Sequence, residues 1–92
     1  MSSLRALVMR IVLMSQSSFY KGRAKYGMVS QLVDEFCEQI VTLCEAERDA
    51  KKREILIKQI EKLCTQVSAV DALTFSAQAS IKSVLQVLKV TL

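Results

Sequence analysis

The chain has 92 residues, thirteen basic against nine acidic, for a net charge of +4; this is one domain, with no room for a second core. It contains no histidine and no proline, which excludes Cys–His and Ser–His catalytic devices and makes long helices with short links the natural architecture. Three cysteines outside any C-x-x-C spacing give no zinc motif, and nothing in the inventory calls for a cofactor or an enzymatic reaction.

The first predicted helix covers about Ser3 to Ser17. Leu4, Leu7, Val8, Ile11, Val12 and Met14 form its apolar stripe, and Met9 and Leu13 fill much of the remaining surface. A helix this apolar all round is expected to be buried on more than one side. It has some likeness to a signal-peptide core, but Arg10 interrupts it and the apolar run is too short to cross a bilayer. Arg10 either snorkels to solvent along its stem, the plainer reading, or points into a channel or subunit contact; lining the central pore of a ring assembly, it would meet phosphate.

A basic segment follows, from Phe19 to Gly27. Residues 1–33 hold five basic residues and no acid; from Asp34 onward eight bases face nine acids. Three of those five, Lys21, Arg23 and Lys25, fall in this segment, with both tyrosines (Tyr20 and Tyr26) and both glycines. Such a segment suits an anionic partner: the cations hold phosphates, and either tyrosine can stack on an unpaired base. The bland alternative is a solvated loop whose tyrosines pack on the end of the fold. If the segment is extended, alternate residues put all three charges on one side; if it is helical, they spread.

The second helix runs to about Glu47, the end of the basic segment forming its first turn and Gly27 a weak point within it. Met28, Val29, Leu32, Val33, Phe36, Cys37, Ile40, Val41, Leu43 and Cys44 make a wide apolar face, opposite Gln31, Asp34, Glu35, Glu38, Gln39 and Glu45. Asp49 is the expected N-cap of a third helix, from about Lys51 to Val70. Its apolar seam is Leu56, Ile60, Leu63, Val67 and Val70, widened by Ile55, Ile57 and Cys64. Arg48, Lys51, Lys52 and Arg53 form a second basic cluster around its start, diluted by Glu45, Glu47, Asp49 and Glu54, for which a solvated turn is the plainer reading. Thr74 is the expected N-cap of a fourth helix from about Phe75 to Val90, with Ile81, Val84, Leu85 and Leu88 inward.

The four patterns predict one all-α domain over residues 1–92, an antiparallel up-down four-helix bundle. Half the residues are apolar and the mean hydropathy is +0.27, too much apolar surface for four short helices to hide, so a homo-oligomer is expected. Cys37, Cys44 and Cys64 read as small core hydrophobes, and an odd count without a secretory signal places the chain in a reducing, cytoplasmic setting.

The order of features also carries a resemblance. A first helix, then Phe19-Tyr20-Lys21-Gly22-Arg23, a long helix ending near Ala46, a third helix with a basic start, and Leu73-Thr74 opening the last helix resemble one small four-helix-bundle family. That family includes the accessory variability protein of diversity-generating retroelements and the proteins encoded within ribosomal RNA intervening sequences. The resemblance implies a pentameric, barrel-like assembly, a reverse-transcriptase partner and nucleic-acid binding. It puts the basic surface at Lys21 and Arg23 and at Lys51, Lys52 and Arg53. The sequence departs from the family at Tyr20, where a proline is usual, and at Val90-Thr91-Leu92, where a Gly-aromatic ending is absent.

The functional expectation is a non-enzymatic nucleic-acid-binding accessory protein, holding RNA or DNA by its phosphates while its oligomer scaffolds a partner enzyme. A second expectation is a small phage- or mobile-element-encoded interaction module, such as an anti-CRISPR-type inhibitor, applying the basic segment to an acidic protein surface. Attachment of the first helix to a membrane surface ranks last.

Overall fold

In a computed structural model describing residues 3–71 and 73–90, every regular element is a helix. Ala72 of the predicted last link and the Thr91-Leu92 end lie outside the described residues. The helices are α1 (Leu4–Gln16), α2 (Arg23–Ala46), α3 (Ala50–Ser68) and α4 (Phe75–Val90).

Three of the four starts follow from a capping side chain, which accepts hydrogen bonds from the first free N–H groups of the helix. Ser3 Oγ accepts from the Ala6 N–H at 3.1 Å. Asp49 Oδ1 accepts from the Lys51 and Lys52 N–H groups at 2.9 and 3.3 Å. Thr74 Oγ1 accepts from the Ala77 N–H at 3.1 Å. The start of α2 differs. Its cap is Gly22, at φ +60° and ψ −133°, with no side-chain bond. That backbone conformation belongs to glycine, because a Cβ meets the neighbouring carbonyl there.

The core is wholly apolar: no polar or charged residue is buried among the described ones. Leu4, Leu7, Val8 and Ile11 of α1 follow the i, i+3, i+4, i+7 pattern, as do Val29, Leu32, Val33 and Phe36 of α2, with Ile40 one turn on. Ala77, Ile81 and Leu88 are buried on α4, with Val84 and Leu85 half-buried beside them. On α3 the buried line is Ile57, Ile60, Cys64 and Val67; Leu56, Leu63 and Val70 are half-buried and Ile55 is exposed. The centre of the α3 seam thus lies one residue beyond the expected Leu56 and Leu63, because α3 packs against all three other helices and must offer a broader face than a two-helix seam.

α1 and α4 each pack against α2 and α3, and their backbones are not neighbours. Both therefore keep an outward side. On α1 this side carries Met9 and Leu13, 64 % and 63 % exposed, so within one chain α1 is buried on one side rather than on several. No described helix is long and apolar enough to cross a membrane.

Candidate nucleic-acid interface

The basic segment joins the end of α1 to the start of α2. Ser17 closes α1, its N–H donating to the Met14 carbonyl, and its Oγ accepts from the Phe19 N–H at 3.2 Å, which turns the chain outward. Phe19 and Tyr20 then meet edge to face, ring centroids 5.0 Å apart at 78°. Phe19 is 84 % exposed, while Tyr20 is half-buried. Lys21 stands in the link, and Arg23 and Lys25 lie in the first turn of α2. The three cations are therefore split between link and helix rather than aligned on one side of a strand. Lys21 and Arg23 are exposed, Lys25 is half-buried, and Tyr26 is exposed beside them.

Electrostatically this end is plain. The first turn of α2 carries no acid and no capping side chain, so its free N–H groups add the positive end of the helix dipole to the three side-chain cations. The one ion pair among the described residues is the exposed Lys58–Glu54 contact at 3.9 Å.

The second cluster is differently built. Lys51 and Lys52 are exposed at the start of α3, but their N–H groups are already taken by the Asp49 carboxylate. Arg53 is half-buried, and its guanidinium donates from Nε at 3.0 Å, and from a terminal nitrogen as well, to the backbone carbonyl of Glu47. It thereby satisfies a carbonyl left over at the end of α2. The clusters flank opposite ends of α2, whose 24 residues span roughly 36 Å at about 1.5 Å per residue. One chain does not bring them together.

Arg10 is exposed, and lies in neither cluster. It stands on the α1 wall of an open groove of about 410 Å³ whose opposite wall, on α2, carries Gln31 and Glu35. A larger open groove of about 830 Å³ lies between α1 and α3, with Leu43 of α2 also lining it and Arg5 and Lys62 among its polar residues.

The three thiols are free. Burial, reinforced by Asp34, pushes Cys37 up to about 11. Burial, reinforced by Cys37 and Glu61, pushes Cys64 to about 12. Cys44 is raised by burial too, with Arg53 opposing. All three stay protonated near neutrality, as inert small hydrophobes do. No group of three or more acidic or cysteine side chains able to hold a metal occurs among the described residues.

Sequence reasoning missed two features here. The left-handed Gly22 has no local signature beyond being a glycine, and the Arg53–Glu47 bond depends on how the α2–α3 link folds back. Compared with known proteins, the chain matches no family model, no curated protein and no solved structure.

Proposed function

We propose that this chain is a non-enzymatic, nucleic-acid-binding accessory protein that self-associates. The observation that carries this reading is the start of α2. A helix N-terminus without a capping side chain, with Lys21, Arg23 and Lys25 around it and no acid in its first turn, suits a phosphate. Tyr20 and Tyr26 supply aromatic faces for unpaired bases. Lys21, Arg23 and Lys25 are the phosphate contacts in this reading. Arg53 is spent on the fold, Arg10 faces a groove that also holds Glu35, and Lys51 and Lys52 stand among acids at the far end.

The four helices are taken to run alternately up and down. Arg10 and Leu13 of α1 share a groove with Met28 and Glu35 of α2, while Ser3 and Leu4 share another with Leu43. Ser30 of α2 meets Thr74, the cap of α4, and Val41 and Cys44 share a cleft with Arg53 and Ile57 of α3. Exposed Met9 and Leu13 on α1 supply apolar surface for association. Kinship with the retroelement accessory family extends in this proposal to nucleic-acid binding and a reverse-transcriptase partner, not to a five-chain assembly, and a cytoplasmic setting suits the three free thiols.

The test replaces Lys21, Arg23 and Lys25 together by glutamine. Affinity for unrelated RNA and DNA sequences should fall alike, since phosphate contacts carry no sequence information. Unchanged affinity would remove this segment from the interface and turn attention to an acidic protein surface as its target.

A further inference from the structure

We propose that the α1–α2 groove is a contact between two copies of this chain, related by a two-fold axis running along the groove. This rests on the self-association proposed above and names the surface that carries it.

The groove has walls of opposite charge. α1 supplies Arg10, and the helix contains no acid along its length. α2 supplies Glu35, and from Tyr26 to Ala46 it contains no base, while Asp34, Glu35 and Glu38 are all exposed on it. Between the walls the surface is apolar: Leu13 is 63 % exposed, above a half-buried Met14 and Met28 and a buried Leu32.

This charge pattern selects the occupant. An anionic ligand or an acidic helix would meet Arg10 on one side and be repelled by Glu35 on the other. A basic helix would meet the converse. A second copy turned about an axis along the groove presents its α2 wall to α1 and its α1 wall to α2, at unchanged height. Arg10 of each copy then faces Glu35 of the other, both charge contacts are favourable, and the two Leu13 side chains leave water together. The contact is isologous, so it closes at two chains, where the family resemblance implies five.

Charge-swapped variants test the pairing, because Arg10 and Glu35 are both exposed and neither supports the core. The full chain is followed by sedimentation equilibrium and native mass spectrometry, with circular dichroism to confirm helicity. The wild type should be a dimer. Arg10→Glu alone and Glu35→Arg alone should each weaken it by at least about tenfold, since each places like charges opposite one another twice. Mixing the two variants should restore dimerisation to within about threefold of wild type, because only the mixed dimer has both pairings attractive. A monomeric wild type would overturn the proposal together with self-association. A particle of more than two chains would overturn the two-fold. An oligomer insensitive to the single swaps, or sensitive to them and not restored by mixing, would overturn this contact while leaving self-association intact.

Discussion

The guanidinium of Arg53 binds the backbone carbonyl of Glu47 across the turn between α2 and α3. The same turn is held from the other side, where Glu47 Oε1 accepts from the Asp49 N–H at 3.1 Å and Asp49 caps α3. A residue that the family resemblance places on a basic surface is thus a brace of the fold. Arg53→Gln should cost about 1–2 kcal/mol in urea unfolding, the range for a charged hydrogen bond that is partly solvated. Lys51→Gln and Lys52→Gln should each stay within about 0.5 kcal/mol of wild type.

The two glycines should respond in opposite directions. Gly22 sits at φ +60°, so Gly22→Ala should destabilise by about 1–2 kcal/mol although nothing lies near its Cβ position. Gly27 is inside α2 with open space around it, so Gly27→Ala should stabilise by about 0.5–1 kcal/mol. Thermal melting of the two variants checks both signs.

Phe36 is fully buried, and Phe75 is 92 % exposed. Phe36→Ala should cost about 3–5 kcal/mol, a large part of what holds a domain of this size together. Phe75→Ala should change stability by less than about 0.5 kcal/mol. Chemical denaturation measures both.

The cysteines predict a pH dependence. Cys37 and Cys64 are raised from the ordinary 9.0 to about 11 and about 12, chiefly by burial. Below pH 9 they are protonated in folded and unfolded chains alike, and their contribution is fully present. Above it the unfolded chain loses their protons first, so stability falls as pH rises from about 9 towards 11–12. Urea midpoints between pH 8 and 10.5 should show the fall, and Cys64→Ala should make it shallower. In the native protein a thiol reagent should modify half-buried Cys44 before buried Cys64.

These residues also show what the sequence made legible. Thr74 and Asp49 could be read as caps because a short oxygen-bearing side chain before an apolar stripe is a local signal, and α4 accordingly spans Phe75–Val90. The start of α2 within the second half of the basic segment was legible, but its means was hidden, because Gly22 admits the helix through a backbone angle rather than a side-chain bond. The α3 seam was displaced by one residue because spacing gives a stripe's width but not its neighbours, and α3 has three. On α1 the pattern marked Met9 and Leu13 as apolar, but the separation of α1 from α4 that leaves the outer side of α1 uncovered is a matter of tertiary arrangement. For the candidate interface, charge bias pointed to Lys21, Arg23 and Lys25, and could not say that Arg53 was engaged elsewhere.

The start of α2 as a holder of nucleic-acid phosphates is the central claim. Fluorescence anisotropy of a labelled structured RNA, titrated with wild type and with the Lys21, Arg23, Lys25→Gln variant across a salt series, tests it most directly. Wild type should show a linear fall of log affinity with log salt. In the variant the slope should be shallower by about two to three, at roughly 0.7–0.9 for each phosphate left without its cation. Absence of wild-type binding even at low salt, or identical slopes for the two proteins, would contradict the claim.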